Sequence, residues 1–126
     1  MRVLGVDPGL ASVGYGFIVY PEGGPDLVKW GEIKTSAAMP MAQRLHSIYT
    51  SLRSIIREFK PDVLFFTGGY VAAPMALAGR NIPTVLYVPD IEPGLALKFL
   101  SRFADRVTVT APNSKKYFSR PGRVIL

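Results

Sequence analysis

Residues 60–71, KPDVLFFTGGYV, constrain this chain more than any other stretch. A Pro-Asp pair ends whatever helix precedes it, a short apolar run then reads as a buried strand, and a glycine pair turns the backbone into the next helix. Strand, tight turn and helix in that order open a βαβ unit. Such a unit demands a parallel sheet, and the rest of the chain has to supply the neighbouring strands.

Downstream, Thr84–Val88, Val107–Thr110 and Val124–Leu126 are further short apolar runs. Helical stretches at 71–79, 93–103 and 113–118 separate them, with Gly79-Arg80-Asn81 as a stop signal and Pro93-Gly94 at the next start. Continuous apolar runs of this kind suit strands buried on both faces, so helices are expected on both sides of the sheet. Upstream, Met1–Val6 runs into Asp7-Pro8-Gly9, and two more strands are expected at Val13–Tyr20 and Leu27–Thr35. Their short connections imply an antiparallel meander. In the third strand Val28, Trp30 and Glu32 share one face. Pro40 then opens a helix in which Met41, Leu45, Ile48, Leu52, Ile56 and Phe59 recur at three- and four-residue spacing, an apolar stripe able to cover a sheet face.

Composition narrows the chemistry. There is no cysteine, which excludes disulfides and thiolate metal sites and fits a reducing compartment, and the single His46, beside the apolar stripe, reads as a surface histidine. No apolar stretch approaches the ~20 residues of a membrane span, and MRVLGVDPG is too short in its apolar run for a signal peptide. The expected location is cytoplasmic. Net charge is +6, an excess that favours anionic partners, although no Lys/Arg run exceeds the pair Lys115-Lys116.

MRVLGVDPGLASVGYG, VKWGEIKTSAAMPMAQRL and LRSIIREFKPD resemble the RuvC-type Holliday junction resolvases of the ribonuclease H-like superfamily, over residues 1 to about 62. The resemblance implies that Asp7 would hold a divalent cation such as magnesium. It places a second carboxylate, a glutamate, at the end of the fourth strand, where this chain has Thr67. Two-metal phosphodiester hydrolysis needs several acidic side chains to share its cations, and Asp7 is left without them. Asp90 and Glu92, after the fifth strand, lie two strands from the first, too far to share a metal.

KPDVLFFTGGYVAAPMALAG, IPTVLYV, PGLALKFLSRFADRV and APNSKKYF resemble the N-terminal domain of MurG-type glycosyltransferases, which move N-acetylglucosamine from a UDP donor to a lipid-linked precursor. Here Asp7-Pro8-Gly9 replaces that family's first glycine-rich loop, Tyr87-Val88-Pro89-Asp90 stands where it has His-Glu-Gln-Asn, and the donor-binding domain has no counterpart. Gly68-Gly69-Tyr70 at a helix start is apt for an anionic group, because free backbone N–H groups and the helix dipole favour negative charge; a tight structural turn is the commoner reading.

Both families place strand four beside strand one. The expected fold is therefore an α/β three-layer sandwich with a mixed sheet of order 3-2-1-4-5-6-7 and strand 2 antiparallel. Residues 1–126 would form a single hybrid domain, with 1–62 RuvC-like and 63–126 MurG-like. Three functional expectations follow: an engineered or recombined chimera serving as a scaffold with no intact active site and no required cofactor; weak binding of a phosphate or nucleotide in the crevice beyond strands one and four, at Asp7, Ser12, Thr67, Gly68, Gly69 and Tyr70; or retained junction-DNA binding or cleavage, with Arg2, Lys29, Lys34, Arg44 and Arg53 as the dispersed cations.

Overall fold

The computed structural model describes residues 1–126, with the side chain of Tyr70 outside the described set. Seven strands form one sheet: β1 (Arg2–Asp7), β2 (Ser12–Val19), β3 (Asp26–Lys34), β4 (Val63–Thr67), β5 (Thr84–Val88), β6 (Arg106–Val109) and β7 (Val124–Ile125). Their order is β3-β2-β1-β4-β5-β6-β7. β2 runs antiparallel to both its neighbours and every other pair is parallel, as expected from the short meander and the later βαβ units.

Helix α1 (Met41–Phe59) follows Pro40 and buries Ile48, Leu52 and Ile56, each worth about 1.5–3 kcal/mol of apolar burial. It ends at Lys60, whose φ of 48° and ψ of 63° are left-handed, and the Lys60 N–H closes the last turn onto the Ile56 carbonyl. The chain is then fastened to β1 twice: the Arg2 N–H donates to Asp62 Oδ2 at 2.7 Å and the Asp62 N–H donates to the Arg2 carbonyl at 2.8 Å. That clamp sets the register Val3–Val63 through Val6–Phe66. Helices α2 (Ala73–Ala78) and α3 (Leu95–Leu100) are shorter than their sequence patterns, and residues 112–117 form a 3-10 turn.

The sheet alternates cleanly. Leu4, Val6, Val13, Phe17, Leu64, Phe66, Leu86, Val88, Val107 and Val109 are all buried. Contacts fix the face they share: Phe17 packs against Phe59 of α1 with tilted rings whose centroids are 4.1 Å apart, α1 packs on α2, and Phe66 shares a cleft with Ala76 of α2 and with Phe103 and Ala104 beyond α3. The residues between them, Val3, Gly5, Gly14, Gly16, Ile18, Val63, Phe65, Val85, Tyr87 and Thr108, point the other way, and none is buried. Phe65, in a central strand, is 39% exposed.

The helices therefore occupy one face, and the described residues make two layers where the sequence suggests three. Connectivity gives the reason. From β3 to β7 every crossover steps toward the same edge between parallel strands, and right-handed crossovers that keep one direction all fall on the same side. The mixed sheet, its order and the antiparallel β2 agree with the sequence reading; helices on both faces is corrected.

Candidate functional site

Asp7 ends β1 and Thr67 ends β4, so strand pairing brings the two side chains to one level on the face without helices. The Thr67 hydroxyl donates to Asp7 Oδ1 at 2.9 Å. Ser12, also in the expected site, opens β2 and turns elsewhere: its hydroxyl donates to Glu32 Oε2 at 2.8 Å. Lys34 Nζ lies 3.1 Å from Glu32 Oε1. The Ser12 hydrogen bond, and then Lys34, hold the Glu32 carboxyl below its usual range.

Glu32 pairs across β2 with Gly14, which pairs with Asp7. The two carboxylates are thus two strands apart, about 10 Å at ordinary strand spacing. The sequence places Glu32 on one face with Trp30 but does not bring it to Asp7's level; the β2 register does that. Among the described residues no three of His, Cys, Asp and Glu converge on a point that could hold a metal. With one Asp7 oxygen accepting from a neutral hydroxyl and the next carboxylate engaged by Ser12 and Lys34, this donor set does not fit a cation pair.

The glycine pair divides. A Cβ on Gly68 would fall 1.5 Å from Leu97 Cδ2 and 2.8 Å from its Cγ, so the buried Leu97 of α3 lies directly over this backbone. Gly69 has φ of 144°, with nothing within 4 Å of where a Cβ would point. The first glycine serves close packing and the second serves the turn. Tyr70's side chain, the last member of the expected site, lies outside the described residues. Leu97 was not legible as a partner of Gly68, since α3 is nearly thirty residues away in sequence.

Concave surface lies on the helical side. A groove of about 330 Å³ between α1 and α2 is lined by Leu45, His46, Tyr49, Ala73, Pro74 and Leu77, which places His46 at a solvent-facing rim. Arg53, from the same helix, donates to the Ala78 carbonyl at 3.1 Å and so ties α1 to α2. Asp90 and Glu92 are exposed beyond β5, two strands from β1. No helix of the described residues is long and apolar enough to cross a membrane.

Comparison with known proteins bears on the origin of this arrangement. The family model described as crossover junction endodeoxyribonuclease RuvC matches residues 3–119. The chain belongs to the RuvC family. Among solved structures, Thermus thermophilus RuvC in complex with a Holliday junction substrate is similar at a TM-score of 0.64 and 22% identity, over 69% of this chain and 64% of that one. At that identity the likeness speaks for the fold.

A second likeness crosses this RuvC match. The UDP-N-acetylglucosamine–N-acetylmuramyl-(pentapeptide) pyrophosphoryl-undecaprenol N-acetylglucosamine transferase of Natranaerobius thermophilus is 45% identical over 83 residues, covering 64% of this chain and 22% of the relative. The crystal structure of Acinetobacter baumannii MurG is similar at 28% identity and a TM-score of 0.53, over 64% of this chain and 23% of that one. The chain therefore spans about a fifth of the transferases it matches, and it joins RuvC-like and MurG-like parts. An alignment holding 64% of 126 residues, about 81, takes in residues 46–81 wherever its ends fall. That interval, from mid-α1 through β4 and α2, also lies inside the RuvC match, so the two likenesses overlap across KPDVLFFTGGYV.

Proposed function

We propose that this chain is a hybrid α/β framework, engineered or recombined, that folds around a shared β1–β4 pair and carries no intact active site. One observation carries the reading: at the end of β4, beside Asp7, stands a hydroxyl that donates to the carboxylate. A carboxylate there would give two anions on adjacent strands, able to share a dication. A threonine adds no charge and occupies one of Asp7's acceptor positions, leaving a single anion to offset a doubly charged ion. Leu97 over Gly68 supports the same reading for the transferase-like part, because the glycine there accommodates a side chain of α3.

In this reading residues 1–62 form the RuvC-like segment and 63–126 the MurG-like one, within one domain in a cytoplasmic setting, and their boundary lies inside the doubly matched interval. Incubation with a four-way DNA junction and magnesium or manganese tests the claim. No cleavage is expected. Metal-dependent cleavage that Asp7→Asn abolishes would overturn it, and salt-sensitive junction binding without cleavage would make the chain a binding protein instead.

A second reading rests on Gly69, whose backbone is open and left-handed two residues after Thr67 in the chain. Weak binding of a phosphate or nucleotide at the β1–β4 crevice would use the N–H groups of this turn, and Asp7 would oppose the anion unless a cation lay between them. Amide shifts at Gly69 on titration with UDP, with and without magnesium, decide it: no saturable change at about millimolar ligand removes this reading.

A further inference from the structure

On the helical side of the sheet, the outer surface of α1 carries a cationic hollow that neither the β1–β4 crevice nor the core uses. Helical spacing sets Tyr49, Arg53 and Arg57 about one turn apart on a single face, with Ser54 beside them. Arg80 and Asn81 follow the end of α2 and line the hollow from its far side, together with Tyr49, Arg53 and Leu77. Its two lobes, of about 320 and 230 Å³, meet at Tyr49 and Arg53. They gather three of the chain's 15 Lys and Arg residues and none of its nine Asp and Glu, so the hollow is positive with no carboxylate inside to neutralise it.

We infer that this hollow binds a nucleoside diphosphate, with the phosphates on the arginines and the base in the adjoining apolar groove. The Arg53 hydrogen bond to the Ala78 carbonyl holds that guanidinium at the seam of the two helices and leaves its remaining N–H donors free. Among the described residues, the side chains of Tyr49, Ser54, Arg57, Arg80 and Asn81 make no hydrogen bond or ion pair. Glu58, the nearest acid along α1, turns to Lys29 of β3 at 4.0 Å. Arg80 also borders the cleft that holds Asp105, but that carboxylate accepts from the Thr84 N–H at 2.8 Å and forms no ion pair with Arg80. Three guanidiniums with hydroxyl and amide donors between them suit an acceptor-rich anion, and the planar guanidinium fork matches phosphate oxygens.

The groove between α1 and α2 fixes the rest of the ligand. It opens onto the hollow at Tyr49 and Leu77, which border both, and Pro74 and Leu45 extend it away from the arginines. A terminal phosphoryl group carries about −1.5 to −2 of charge, and a second phosphoryl beside it adds to that, so a diphosphate is the anion three guanidiniums balance. A planar base then lies against the Tyr49 ring, a stacking contact indifferent to which base it is. Inorganic phosphate would leave the apolar groove in water, and a simple carboxylate would leave most of the donors unpaired. The hollow lies on the opposite side of the sheet from Asp7 and Thr67, so it is independent of any binding in the crevice.

Amide NMR during titration of the full chain with ADP and, separately, with inorganic pyrophosphate tests this, at low salt and without divalent metal. ADP should give saturable shifts at residues 49–57 and at Arg80 and Asn81, with a Kd of about 0.1–1 mM, and pyrophosphate should bind at least about threefold more weakly. Arg57→Gln and Arg80→Gln, both at exposed positions, should each weaken ADP at least about fivefold while keeping a dispersed amide spectrum. Leu77→Ala, at a side chain 63% exposed, should narrow the preference for ADP over pyrophosphate. The inference is overturned by the absence of saturable shifts at about 10 mM ADP, by undiminished affinity when both arginines are replaced, or by equal affinity for the two ligands. ADP shifts confined to Gly69 and the ends of β1 and β4 would also overturn it, placing the nucleotide in the crevice. So would binding of a single-stranded oligonucleotide through Arg53 and Arg57 with no response to ADP, which would assign the hollow to nucleic acid.

Discussion

Replacing Gly68 by alanine tests whether the glycine pair is there for packing. The added methyl would lie 1.5 Å from Leu97 Cδ2, 2.8 Å from Cγ and 3.4 Å from Cδ1. Leu97 is only 7% exposed, so its side chain cannot swing into solvent, and either α3 or the β4–α2 turn has to shift. Overpacking of this size costs about 1–3 kcal/mol. Leu97→Ala alone would lose about 2–5 kcal/mol through the cavity it leaves, and in the double variant the new methyl would enter that cavity. The two changes should therefore be coupled favourably by about 1 kcal/mol or more in a double-mutant cycle. Urea unfolding of the four proteins measures this, with each kcal/mol equivalent to roughly 3–6 °C in melting temperature for a chain of this size. Additive effects, or a Gly68→Ala variant as stable as the parent, would refute the packing argument and return the glycine to an anion-binding role.

Other consequences of the structure are as direct. Lys60→Gly relieves a non-glycine residue at φ 48° and should raise stability by about 0.5–1 kcal/mol in the same unfolding assay. Asp62→Ala removes the acceptor for the Arg2 N–H at an exposed strand start and should cost about 1 kcal/mol, with faster amide exchange at Arg2. Glu32 has a folded pKa below its ordinary value of 4.5, so its contribution to stability is present above that value and is lost as pH falls through the lower folded one. Ser12→Ala should move its carboxyl titration back toward 4.5, followed by carbon-detected NMR, and salt should weaken the part that comes from Lys34.

How far the sequence disclosed this fold depends on what each residue had to signal. Short apolar runs and glycine turns located all seven strands, and the stripe through Ile48, Leu52 and Ile56 located α1, because burial of one helix face needs only local periodicity. The layer count was not legible. Val3, Val63, Phe65 and Val85 make their strands apolar on both sides, which is the pattern of a doubly covered sheet, yet an apolar face shows only that it could be covered. At the site, Asp7 and Thr67 were readable because strand ends fix their level. Leu97 above Gly68, and Glu32 drawn to Ser12, depend on contacts between distant segments or across strands that no local spacing encodes.

The clamp between Arg2 and Asp62 joins residues 60 positions apart, and it has a kinetic meaning. The β1–β2–β3 meander can close early, since its contacts are local, but the inner edge of β1 stays unpaired until β4 has been synthesised and α1 has brought it round. Loop closure on that scale precedes any reward from the central pair, so collapse of the meander should come first and docking of β4 should limit the rate. During synthesis, the open edge of β1 is the part of the nascent chain most exposed to pairing with the wrong strand.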